Sequence, residues 1–224
     1  MMGLRNELKF YITPFHHALL LSRLSAVLSP DPYMKERECY TVRSLYFDDP
    51  EEKSYFDKIN GVENRTKYRL RFYNEDTSFL RLEKKEKLGK LSRKTLFSLT
   101  FKEGEDLMAG KNLDWKREDL LGELNGKIHF EKFRPTLLVD YERRAFCYPA
   151  GDVRITLDSR LKGAVFRGDL LSPAALLSVP TMTDHILEVK FTSFLPPFIK
   201  ELLSDVPKVS SAISKFCLTR EFLF

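Results

Sequence analysis

The sequence predicts an α+β domain: a mainly antiparallel β-barrel, closed on itself, with flanking and capping helices. Three observations predict it. Strand-like runs follow one another as adjacent hairpins, which favours an antiparallel sheet or barrel. Helical signals gather at the ends and flanks of those runs. Five strands put Lys, Arg and Glu on one face and apolar residues on the other, and a closed barrel with a charged interior satisfies all five at once. The 224 residues read as one domain, 1–224, with no internal repeat, low-complexity tract or linker.

The chain opens with a strand over residues 4–12. Thr13 then caps a helix with Pro14 in its first turn. This helix runs to about residue 28, with Phe15, Leu19, Leu20, Leu24 and Val27 as its apolar stripe, and Ser29-Pro30-Asp31-Pro32 ends it. A second strand covers 40–47, Asp48-Asp49-Pro50 breaks it, and a short helix follows to about Lys58. Strands at 67–73, 79–87 and 93–99 form two hairpins, joined by loops at 74–78 and 88–92. Residues 102–109 and 114–128 read as polar helices that cap the sheet. Strands resume at 136–148, 153–157 and 163–166, with a turn at 149–152. Residues 169–183 read as a loop or short helix, 186–191 as a late strand, 196–203 as a helix and 211–218 as a final helix.

Composition narrows the function classes. Apolar residues make up 43% and charged residues 31%, a globular balance. No apolar run reaches the roughly 20 residues of a membrane helix, and the first residues lack an apolar signal core, so the cytoplasm is the expected location. Cys39, Cys147 and Cys217 are far apart and read as buried apolar thiols, without a disulfide framework or zinc site. The four histidines show no HxxxH or HExxH spacing. The net charge of +5 permits an anionic partner without demanding one.

The placement of the charges says more. Alternation puts Lys67, Arg69 and Arg71 on one strand face, and Arg81, Glu83, Lys85 and Lys87 on another. Arg154, Thr156 and Asp158 face away from Val153, Ile155 and Leu157; Arg5, Glu7 and Lys9 form a set, as do Glu188 and Lys190. An ordinary sheet with one wet face accounts for any single strand. Five such strands in one small domain point instead to a basic tunnel with a few carboxylates. Like charges across a sheet repel unless a polyanion lies between them. Arg offers phosphate a planar fork and Lys a point charge, while carboxylates suit Mg²⁺ or Mn²⁺ bound with substrate phosphates. Glycine-loop phosphate machinery is missing: Gly122 to Lys127 has the wrong spacing for a P-loop, and neither GxGxxG nor GxSxG occurs.

The ordered motifs resemble the VTC domain, the polyphosphate polymerase domain of the vacuolar transporter chaperone complex, in its stand-alone bacterial form. That family is related to the triphosphate tunnel metalloenzymes and CYTH domains. The resemblance runs from about Arg5 to Phe216 through Arg5-Asn6-Glu7-Leu8-Lys9-Phe10, Ser44-Leu45-Tyr46-Phe47-Asp48, Lys67-Tyr68-Arg69-Leu70-Arg71, Leu82-Glu83-Lys84-Lys85, Ser92-Arg93-Lys94, Val139-Asp140-Tyr141-Glu142-Arg143, Val153-Arg154, Leu187-Glu188-Val189-Lys190 and Ser214-Lys215-Phe216. It implies a triphosphate tunnel fold, with Arg69, Arg71, Lys85, Arg143, Arg154 and Lys190 around the reacting phosphates. It implies further phosphate contacts from Lys9, Lys67, Lys94, Ser214 and Lys215. Glu188 would hold the divalent metal, Mn²⁺ or Mg²⁺, and Glu7 is a second candidate ligand.

Two doublets stay open, Lys84 or Lys85 and Arg143 or Arg144; alternation favours Lys85 and the family spacing Arg143. The implied activity is transfer of the ATP γ-phosphoryl group to polyphosphate. Hydrolysis of triphosphate or a nucleoside triphosphate is the first rival, and a polyphosphate-binding sensor the second. ATP and inorganic polyphosphate or triphosphate are the expected partners. No nucleic acid is expected, since no RNP or helix-turn-helix signature occurs. Tyr46, Phe47, Tyr55 and Phe56 read as core, with one of them a candidate to stack on adenine at the tunnel mouth.

Overall fold

Alternating residues between Asn6 and Ile12 form strand β1, and Thr13 turns the chain into helix α1 (Pro14–Val27). The Thr13 side chain accepts from the His16 backbone N–H, satisfying one of the donors that a helix start leaves unpaired. The structure, a computed structural model, describes residues 5–34, 37–74, 76, 78, 80–89, 91–111, 113–171, 176–181, 185–206 and 210–224. Leu4, Phe79 and parts of the 169–183 segment therefore lie outside the described residues.

After α1 come β2 (Ser29–Pro30), β3 (Tyr40–Asp48), α2 (Lys53–Ile59), β4 (Asn64–Tyr73), β5 (Leu80–Leu88) and β6 (Leu91–Leu99). Helices α3 (Phe101–Ala109) and α4 (Leu120–Glu131) precede β7 (Arg134–Tyr148) and β8 (Val153–Val165). The chain ends with β9 (Leu177–Ser178), β10 (His185–Phe191), α5 (Pro197–Leu202) and α6 (Lys215–Leu223). All described pairings are antiparallel, in the order β1-β10-β8-β7-β3-β4-β5-β6, with β2 on β7 and β9 on β8.

The expected antiparallel architecture stands, with one refinement. The sheet curls into a half-barrel, and no ladder joins its end strands β1 and β6 among the described residues. The gap is spanned by side chains: Lys85 of β5 meets Glu7 of β1 at 2.8 Å.

The apolar side chains face outward onto the helices. Leu70, Phe72 and Leu82 pack with Leu107 of α3 and Leu121 and Leu124 of α4. Ile155, Leu157 and Leu187 pack with Leu20 and Leu24 of α1 and Ile199 of α5. Each such side chain, fully buried, contributes about 1.5–3 kcal/mol. The apolar side thus holds the sheet, and the concave side is left to the charges.

Five local readings are corrected. The strands expected at 153–157 and 163–166 are one strand, β8. Arg160 has a φ of 53° and the pairing with β7 shifts between Asp140 and Glu142, so alternation fails there although the strand continues. Helix α4 starts six residues later than expected, because Asp119 caps it by accepting from Gly122 N–H, and Arg117 pairs with that carboxylate. Helix α6 starts at Lys215, where Ser214 caps it. In α1 the buried residues are His17, Leu20 and Leu24; Phe15 and Val27 lie off that face and are exposed. All three cysteines are free, with Cys217 buried and Cys39 and Cys147 only half-buried.

Candidate functional site: a charged tunnel

The concave face gathers charged residues from seven of the eight strands in the main sheet order, β3 supplying Ser44 and Tyr46 instead. Strand β4 supplies Lys67, Arg69 and Arg71; β5, Glu83 and Lys85; β6, Ser92 and Lys94; β7, Arg143; β8, Arg154 and Asp158; β10, Glu188 and Lys190; and β1, Glu7 and Lys9. Register places like charges directly opposite: Lys67 faces Lys85, Lys85 faces Lys94, and Lys190 faces Arg154. Such pairs destabilise a bare sheet.

Two cavities occupy this face, of about 270 and 560 Å³. They share walls at Glu7, Arg69, Arg71, Lys85, Arg143 and Lys190, so they are two arms of one passage. The first arm opens among Lys58, Arg65, Lys67 and Lys87 and is bordered by Ser211–Phe216. The second opens among Asp31, Tyr33, Tyr73, Lys94 and Arg154. Every residue proposed from the sequence for phosphate or metal contact lines one arm or the other. The open doublets resolve. Lys85 faces the passage, while Lys84 points outward to Glu123 of α4. Arg143 is buried at the wall, while Arg144 pairs with exposed Glu38.

Carboxylates organise the cations. Glu83, only 1% exposed, meets Arg69 at 2.6 Å, Lys94 at 2.6 Å and Arg71 at 3.6 Å. Burial works against its ionisation, but these three cations outweigh it and hold its carboxyl well below the usual range. Arg69 also donates to the Tyr46 hydroxyl at 2.8 Å, and Arg71 to Ser44 Oγ at 2.9 Å. Asp158 takes a two-pronged bond from Arg143 at 2.6 and 2.7 Å and one from Lys215 at 2.7 Å. Burial is again overcome, and its pKa falls to about 2. Sequence reasoning placed Glu83 and Asp158 on the charged face but gave neither a role. For Glu83 the signal was the lone acid within a basic stripe; Asp158, at the end of its set after Arg154 and Thr156, carried no such signal.

Two lysines are poised near neutrality. Burial, then the repulsion of Arg69 and Arg71 against the pull of Glu83, brings Lys94 down to about 7. Burial and neighbouring Lys9 bring Lys85 down to about 8. By contrast, Lys9 is pulled down by burial but lifted further by Glu188 and Glu7, and ends above the ordinary lysine value.

Three other expected residues are engaged by the protein itself. Ser214 Oγ accepts from Cys217 N–H as the α6 cap. Lys67 lies 4.3 Å above the Phe216 ring, with its ammonium at 3.6 Å from Cys217 Sγ. Arg154 donates to Asp31 at 2.7 Å and to the Tyr40 hydroxyl at 2.9 Å. Of the aromatic residues considered for base stacking, Tyr46 and Phe47 are buried, and Tyr55 sits under Arg220. Phe56 is exposed, but it lines neither arm.

Lys9 bridges Glu7 and Glu188, at 2.9 and 3.6 Å, and Glu188 also meets Lys190 and Arg143. Burial raises both carboxyl pKa values, yet the surrounding cations bring both below the ordinary value. No group of three or more His, Cys, Asp or Glu among the described residues forms a ready cage for a metal. Two apposed carboxylates do fit Mg²⁺ or Mn²⁺ brought in with phosphate, since such ions use one or two carboxylates and take the rest from phosphate and water.

The family model for the VTC domain matches residues 4–224. Solved structures share the fold. One is a Hippeastrum protein named as an adenylyl cyclase with a dominant triphosphatase activity: 15% identity, TM-score 0.56, covering 100% of this chain and 97% of that one. Another, named as an adenylate cyclase of Bacillus halodurans, has 14% identity and a TM-score of 0.55, covering 96% and 99%. The PH1819 protein of Pyrococcus horikoshii has 13% identity and a TM-score of 0.53, covering 97% and 98%.

Proposed function

The chain belongs to the VTC domain family, and from that premise we propose that it transfers the γ-phosphoryl group of ATP to a polyphosphate chain and releases ADP. The observation that carries this reading is the set of like charges facing one another along a passage with two arms. That arrangement suits a chain of phosphates, and two arms leave room for a donor and an acceptor at once.

In the reaction, a terminal oxygen of the acceptor bonds to the γ-phosphorus as the bond to the β-bridging oxygen breaks. The acceptor end is already anionic, so no proton need be removed. The work left to the protein is positioning and charge stabilisation. Arg69 and Arg71, aligned by Glu83, Ser44 and Tyr46, and Arg143, aligned by Asp158, present guanidinium forks to phosphate oxygens. Lys85, Lys94 and Lys190 add point charges, and Lys9, Lys67 and Lys215 extend the basic wall toward the first mouth. A divalent cation held by Glu188 and Glu7 would supply further neutralisation on the phosphate oxygens.

The test incubates the protein with ATP and Mn²⁺, resolves polyphosphate on a gel and assays free phosphate in parallel. Polymer with ADP is the expected result. Free phosphate without polymer would replace this reading with hydrolysis, the activity named for the Hippeastrum neighbour. Triphosphate binding with neither product would leave a sensor. Glu188→Gln should keep the fold by circular dichroism and lose metal-dependent turnover by about a hundredfold or more.

A further inference from the structure

The two mouths of the passage differ in chemistry. Lysines and an arginine ring the first. The second carries Tyr33, Tyr40, Tyr73 and Tyr148, with Pro30 and Pro149, beside Arg93, Lys94 and Arg154. A phosphate chain has no flat apolar part, so four tyrosines at one end add nothing to its recognition.

The rings are ordered among themselves. Tyr33 and Tyr73 are nearly parallel, at 12°, with centroids 6.2 Å apart. Tyr73 meets Tyr40 edge-on at 5.6 Å, and the Tyr40 hydroxyl accepts from Arg154. Buried Asp31 ties the same Arg154 to the turn that carries Tyr33. Its carboxylate accepts from Arg154 and from the Tyr33 backbone N–H at 2.9 Å. Tyr73 and Tyr40 are thus fixed from behind. Tyr33, 55% exposed, is the ring a flat ligand reaches from solvent. The cavity below it continues to Arg69, Arg71 and Arg143, which also line the other arm. One ligand can therefore lay phosphates on the arginines and a flat end against the tyrosines.

We propose that Tyr33, backed by Tyr73, forms the subsite for the base of a nucleoside triphosphate, and that it separates nucleotides from inorganic triphosphate. This rests on the reading of the passage as a site for a nucleotide phosphoryl donor. Stacking uses the face every base has, so the subsite tolerates all bases and prefers the larger purines.

The experiment is calorimetry in Mg²⁺ with two probes, inorganic triphosphate and the β,γ-imido analogue of ATP, which does not turn over by phosphoryl transfer. Tyr33→Ala should weaken the analogue about tenfold and leave inorganic triphosphate unchanged, while Tyr33→Phe should bind both as the unaltered protein does. Equal weakening of both probes, or no weakening of the analogue, overturns the subsite and leaves the phosphate site standing. Unaltered protein that binds inorganic triphosphate but not the analogue overturns the subsite and the ATP-donor reading together. Binding of neither probe overturns the phosphate site itself, and the subsite with it.

Discussion

Lys94 and Lys85 lie where a change of one proton matters. Their pKa values, about 7 and about 8, sit below that of a free lysine because burial and neighbouring cations penalise the charged form. A bound polyanion favours the charged form and raises both values. Binding at pH 8 should therefore take up protons, and triphosphate affinity should fall as pH rises from 7 to 9. Calorimetry at pH 8 in buffers of different ionisation enthalpy measures the uptake directly; heats that do not depend on the buffer would refute it. Much at this scale was legible in the sequence. Alternation around Glu83 correctly sent Lys85 inward and Lys84 outward, because a strand has only two faces. The pairing of Glu83 with three cations was not legible. It joins β4, β5 and β6, and a side chain's partners across strands depend on register, which one strand's pattern does not reveal.

Helix α6 carries part of the passage wall, and its seat is narrow. It packs against β8 where Gly163 faces Thr219, and a Cβ at Gly163 would collide with the Thr219 methyl and crowd the Leu138 carbonyl oxygen. Gly163→Ala should lower stability by about 1–3 kcal/mol, read as a lower midpoint in urea, and should weaken triphosphate binding by displacing Lys215 from Asp158. A variant as stable as the original would show that the helix adjusts freely. The helix itself was expected at 211–218. The structure begins it at Lys215: Ile213 N–H bonds back to the Ser211 carbonyl, and Ser211 N–H is held by the Lys9 carbonyl, so no helical turn forms before the Ser214 cap. The bond to Lys9 joins residues about two hundred positions apart, beyond the reach of any local signal. Strand β8 was divided in the sequence reading for a different reason, since positive φ at Arg160 breaks the two-residue rhythm without ending the strand.

At the scale of the whole molecule, the charge network makes stability depend on acidity. Asp158, Glu83 and Glu188 all ionise below their ordinary values in the fold. The unfolded chain binds more protons in that range, so the stability they contribute is complete above about pH 4.5 and is lost as pH falls. For Asp158 the loss runs down through about 2 and amounts to roughly 2 kcal/mol. Urea midpoints at pH 6, 4 and 3 should decline stepwise, and a flat profile would contradict the network. The overall architecture was legible because one alternation, apolar outward and charged inward, recurred on five of the eight strands in the main sheet order. Closure was not, since alternation tells which face a residue takes and nothing about whether the first and last strands meet.

The unjoined edges of the sheet have a mechanical consequence. A ring of backbone hydrogen bonds has one circumference, whatever the solution around it. Here the Lys85–Glu7 contact spans the gap between strands that form no ladder among the described residues. Ionic contacts weaken as salt screens them. The width of the bore should therefore follow ionic strength, drawn in by dilute buffer and widening in concentrated salt, which small-angle scattering across a salt series would read as a change in radius.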